Sequence, residues 1–116
     1  MTTREQIIIN RVTPTLPITV FPGKEILSKL REILNDKSIG LQTELEIHAI
    51  YDGKEEGGIT CEIRKKGLDA EESESVFLCS ITHLKIKKGE SNYEILEKYR
   101  IKRIRRLKKQ NRNSFF

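Results

Sequence analysis

Nine cations crowd one stretch of this 116-residue chain: Lys98, Arg100, Lys102, Arg103, Arg105, Arg106, Lys108, Lys109 and Arg112, with no acid among them. Clustered ammonium and guanidinium groups displace counterions from a polyanion, a strongly salt-dependent interaction that needs no sequence recognition. The whole chain has 22 Lys and Arg against 17 Asp and Glu. Removing the nine leaves 13 against 17, so the remainder sums to −4 and the positive field belongs to one element. A localised field of this kind attracts phosphates, anionic lipid or an acidic protein surface.

Other residue types offer less. His48, Cys61, Cys79 and His83 are formally a zinc set, but Cys79 and His83 on one strand would stand about 13 Å apart at the usual rise. No C-x-x-C pair is present. Both cysteines lie in apolar, strand-like runs, where a thiol packs as a small reduced hydrophobe rather than acting as a low-pKa nucleophile. The glycines near Asp52 fit neither a Walker nor a dinucleotide loop, and the acids at 69–74 lack an EF-hand's glycine and terminal glutamate. The sequence therefore predicts no catalytic residue, no metal ligand and no cofactor.

The cations need a helix to align them. Ser91 with Glu94 three residues on reads as a capping box, opening a basic C-terminal helix over 91–112. On that helix Tyr93, Leu96, Ile104 and Leu107 share a packing arc, and Lys98, Lys102, Arg105, Arg106, Lys109 and Arg112 lie opposite. Arg100 points into the apolar stripe and must reach its edge or meet an acid. Lys85, Lys87 and Lys88, just before the helix, extend the predicted polyanion-binding footprint.

Upstream, Ile26, Leu27, Leu30, Ile33 and Leu34 form a stripe of helical period, with Pro22 at the opening and Asn35-Asp36 at the stop. Leu41 to Tyr51 alternates with a period of two, with Leu45, Ile47, Ala49 and Tyr51 on the apolar side. Asp52-Gly53 and Gly57-Gly58 frame a turn into a second strand around Ile59, Cys61 and Ile63. Residues 66–75 read as a polar loop, and a third strand runs from Val76 toward Ile86. The β-branched run at 5–12 reads as a further N-terminal strand or arm. Pro14 and Pro17 then break regular structure, Ile18 to Phe21 forms a short extended segment, and 113–116 is a fraying tail.

The expected fold is α+β: a three-stranded antiparallel sheet, extended by the N-terminal strand if that strand joins it, with two helices on one face, in a single domain over 1–116. Helix, three strands, helix is also the order of double-stranded-RNA-binding domains, but the glycine-and-lysine signature that opens their last helix is absent, so no membership follows. No run approaches the 20 or so apolar residues of a membrane span, and the first twenty residues lack a secretory core, which predicts a cytoplasmic protein. The functional expectation is a small non-enzymatic binding or accessory protein whose basic helix contacts a polyanion, with nucleic acid the leading partner. Trp is absent and the strands carry no paired aromatics of the RNP type, so contacts would go to the backbone. The alternative is an assembly factor, a homodimer being one form of it, that meets an acidic protein surface.

Overall fold

Apolar side chains that face one another across strands dictate the sheet. A computed structural model describes residues 3–53, 58–67 and 76–113, with side chains through Lys109. In chain order the elements are α1 (Arg4–Val12), β1 (Ile18–Pro22), α2 (Leu27–Ile33), β2 (Leu45–Asp52), β3 (Ile59–Lys65), β4 (Phe77–Ser80), β5 (Leu84–Ile86) and α3 (Tyr93–Asn113). Short 3-10 turns occupy Thr13–Thr15, Lys24–Ile26 and Ile81–His83. All strand pairs are antiparallel, in the order β4-β3-β2-β1-β5. Residues paired in register point to the same face. Three buried rows result: Ile86–Val20–Leu45, Ile18–Ile47–Ile63–Phe77 and Ile50–Cys61–Cys79. Together with Ile8, Ile9 and Val12 of α1, Leu30 of α2, and Leu96 and Tyr99 of α3, they form one core.

The expected three-stranded sheet with two helices is thus corrected to five strands and three helices, for three physical reasons. Residues 4–12 are a helix, not a strand. Thr3 caps it by accepting a bond from the Gln6 amide at 3.1 Å, Gln6 donates to Asn10 one turn on, and Ile8, Ile9 and Val12 fall on one buried side. Tertiary burial of that stripe outweighs the β preference of three consecutive isoleucines. Second, Ile18–Pro22 is an internal strand between β2 and β5, and Pro22 is its last residue rather than the first of a helix, a position where the missing ladder donor is tolerated. Third, the run from Val76 to Ile86 does not stay straight. Ser80 accepts the Thr82 amide and starts a 3-10 turn, after which β5 pairs with β1 at the opposite edge of the sheet. The order is therefore not that of a double-stranded-RNA-binding domain either.

Within β2 the register shifts between Ile47 and Ala49. That bulge inserts one residue and reverses the faces beyond it: Ile50 is buried and Tyr51 exposed, the opposite of what unbroken alternation predicts. The stripe of α2 behaves as read, with Ile26, Leu30 and Leu34 buried and Leu27 and Ile33 packed at the margin. Asn35, at φ 52°, ends the helix. The Asp36 amide returns to the Arg31 carbonyl and that of Asn35 to Glu32, the two bonds of a Schellman stop. The Asp36 carboxyl, bonded by the side chain and amide of Ser38 and by Lys65, is held at about 2. Of the expected turn and loop, residues 54–57 and 68–75 lie outside the described residues, as do 114–116 of the tail.

Candidate functional site

Four polar contacts set the rotation of α3 on the body. Asn92, just before its first turn, donates to Thr15 Oγ1 at 3.0 Å; no capping bond by Ser91 is seen among the described residues, and the helix begins at Tyr93, one residue later than the capping box implies. Glu97 accepts the Ile86 amide at 3.2 Å and grips Arg100 with both oxygens, at 3.0 and 2.9 Å. Arg100 thus meets an acid on its own helix. Burial raises the Glu97 pKa, but Arg100 and the Ile86 amide outweigh burial and hold the carboxyl below its ordinary value. Tyr99, 4% exposed, accepts the Ile59 amide at 3.2 Å and donates to Glu5 Oε1 at 3.4 Å, joining α3 to β3 and α1. Burial is the main reason its phenol titrates above the usual value.

The approach of α3 to the β2–β3 hairpin depends on Gly58. Its φ of +59° suits glycine, and a Cβ there would stand 2.5 Å from Tyr99 Oη and 2.6 Å from Arg103 Nε. The buried face of α3 is therefore Leu96, Tyr99 and Arg103, rotated by about 60° from the arc expected from the apolar residues alone. Tyr93, Ile104 and Leu107 sit at the boundary, half-buried. Arg103, 9% exposed, is the buried charge that reading for apolar residues misses.

This rotation leaves Lys98, Lys102, Arg105, Arg106, Lys108 and Lys109 exposed. Lys98, Lys102, Arg105 and Lys109, at i, i+4, i+7 and i+11, fall within an arc of about 60°. Among the described residues, no ion pair holds any of the six. Lys98–Lys102, Lys102–Arg106 and Arg105–Lys109 are like charges four apart, an arrangement that weakens an isolated helix. After Arg103 no described side chain of α3 is fully buried, so this half of the helix has little packing to offset that repulsion. Arg112 lies in α3, but its side chain is outside the described residues.

The other predicted cations are placed differently. Lys85 and Lys88 are exposed, and with Lys87 they line a groove of about 410 Å³ completed by Phe21, Ile86, Tyr93 and Glu97. Lys87 is bonded to Glu44, which also binds Lys66 at 3.2 Å, and these two bonds lower the Glu44 pKa. Sequence reasoning missed Arg4. It projects from α1, stands 5.9 Å from the Tyr99 ring centroid and lines a cleft with Glu5, Tyr99, Lys102, Arg103 and Arg106. The Thr3-x-x-Gln6 spacing, a second capping-box pattern, is the signal that would have found α1 and Arg4 with it.

The remaining chemical residues are dispersed. Cys61 and Cys79 are free, buried and opposed in register. Burial pushes both thiols up, Cys79 to about 12, with Cys79 adding to the effect on Cys61, so neither supplies a thiolate near neutrality. His48 contacts Glu46 at 3.3 Å, and His83 lies in the 3-10 turn after β4 rather than on one strand with Cys79. Among the described residues no cluster of three or more His, Cys, Asp or Glu could hold a metal, and no helix is long and apolar enough to cross a membrane. Compared with protein-family models, with curated proteins and with solved structures, the chain gives no match.

Proposed function

We propose that this is a non-enzymatic binding protein that holds a polyanion, nucleic acid first, on the exposed face of α3. The observation that carries the reading is the row Lys98, Lys102, Arg105 and Lys109, joined by Arg106, exposed and without ion pairs among the described residues. An anionic backbone laid along the row neutralises charges that repel one another in the free protein, releasing counterions as it does so. The sheet, α1 and α2 serve as the scaffold that fixes the rotation of the row.

Replacing Lys102, Arg105, Arg106 and Lys109 together by Gln tests the reading. All four are exposed, so the circular dichroism and unfolding midpoint should stay close to wild type. Anisotropy with labelled duplex and single-stranded DNA and RNA should show binding by the wild type and, in the variant, only a weak residue of it measurable at high protein concentration. Equal affinities for the two proteins would refute the proposal. An acidic protein surface is the second reading, favoured by an isoleucine-floored groove beside the same row that Arg4, Ile7, Ile8, Ile95, Lys98 and Lys102 line.

A further inference from the structure

Between α1 and α3 runs a groove of about 400 Å³, lined by Arg4, Ile7, Ile8, Ile95, Lys98 and Lys102. Its floor is isoleucine and its charged lining is entirely cationic. Ile7 is 58% exposed. Isolated apolar side chains on a surface need no explanation, but an apolar floor rimmed by charges of one sign has the form of a recognition site.

We propose that this groove receives a short acidic amphipathic helix of a protein partner. The groove lies between two helices, and α1 has nine residues, about 13 Å of axis, enough to lie beside two to three turns of a third helix. Apolar residues of the incoming helix at i, i+3 or i+4, and i+7 would cover Ile7, Ile8 and Ile95, the helix-in-groove mode of recognition. Carboxylates flanking that stripe would meet Arg4 on one side and Lys98 and Lys102 on the other. Charge selects this occupant over a second copy of the chain, because the copy would bring its own Ile7 flanked by the same cations. The inference does not rest on nucleic-acid binding. The two ligands share Lys98 and Lys102, so an acidic helix in the groove would exclude a polyanion from this end of the row.

A labelled synthetic helix of about 14 residues, stapled because helices this short are marginal in water, tests the inference. It carries leucines at i, i+3, i+4 and i+7 with glutamates flanking them. The expected result is saturable binding to the full chain that weakens about tenfold in Ile7→Ser, from lost apolar burial, and is retained in Ile7→Leu. A peptide with lysine for glutamate should not bind. Equal binding of a peptide with alanine for leucine would overturn the inference, because charge alone would then explain the contact, and absence of binding by the acidic leucine peptide would overturn it outright. Sedimentation showing a dimer of the chain that Ile7→Ser dissociates would assign the groove to a second copy and equally overturn it. Failure of the nucleic-acid assay while the peptide still binds would leave this inference standing and remove the other.

Discussion

Replacing Gly58 by Ala tests how α3 is held to the sheet, and so what presents the basic row. Two costs add. At a φ of +59° an L-residue is disfavoured by about 1–2 kcal/mol. The new methyl would also meet Tyr99 Oη at 2.5 Å and Arg103 Nε at 2.6 Å; Tyr99 Oη cannot simply move away, because it is held between the Ile59 amide and Glu5. Overpacking of this kind costs about 1–3 kcal/mol, giving about 2–5 kcal/mol in all. Tyr99→Phe removes the hydroxyl, leaves the Ile59 amide without this acceptor, and costs about 1–3 kcal/mol. In the double variant the methyl no longer meets an oxygen, so the summed penalties should exceed the observed one by about 1 kcal/mol. Urea unfolding of the four proteins, followed by circular dichroism, measures the cycle. Strict additivity, or a Gly58→Ala cost below about 0.5 kcal/mol, the level of an ordinary surface change, would refute the close docking of α3 on this hairpin.

Two pH responses follow from the buried groups. The Glu97 carboxyl titrates below its ordinary value in the folded chain, so its stabilisation is present above the unfolded-state pKa and lost as pH falls through the folded one. Glu97→Gln should therefore lower the thermal midpoint at pH 7, and the deficit should shrink as pH falls through the carboxylate range; a deficit that does not change with pH would refute the assignment. The thiols shift the other way. Cys79 is raised from 9.0 to about 12, so its contribution is complete below the unfolded value and is lost as pH rises from 9 toward 12. A Cys61→Ala/Cys79→Ala protein, though less stable, should lose less stability over that interval, and the wild-type thiols should react with a disulfide reagent only on unfolding. Rapid labelling of the native protein would contradict their burial.

What the sequence revealed depended on how local each signal was. The α2 stripe and the Ile59–Cys61–Ile63 strand read correctly because their periodicity and burial agree. The N-terminal helix was hidden because Ile7-Ile8-Ile9 satisfies a strand pattern, while the signals for a helix, the Thr3 cap and the spacing of Ile8 and Val12, are sparser. Neither the bulge after Ile47 nor the crossing of β5 to the far edge leaves a local mark; both are settled by pairing partners distant in the chain. The basic row was legible as composition. Its rotation was not, because Arg103 and Tyr99 pack inward through contacts with Gly58, Ile59 and Glu5 that a helical wheel cannot contain.

The salt dependence of duplex-DNA binding tests the central claim most directly. From Lys98 to Lys109 the helix rises about 16 Å, a length along which B-DNA presents about ten charges, so Lys98, Lys102, Arg105, Arg106 and Lys109 have room for about five phosphate contacts. The slope of log K against log salt should then be near −4.5, a loss of about a hundredfold between roughly 50 and 150 mM, while the Lys102, Arg105, Arg106 and Lys109 to Gln protein should lose only about threefold. A steep slope confined to the wild type is the predicted result. The same slope in both proteins, or no binding at low salt, would contradict the account.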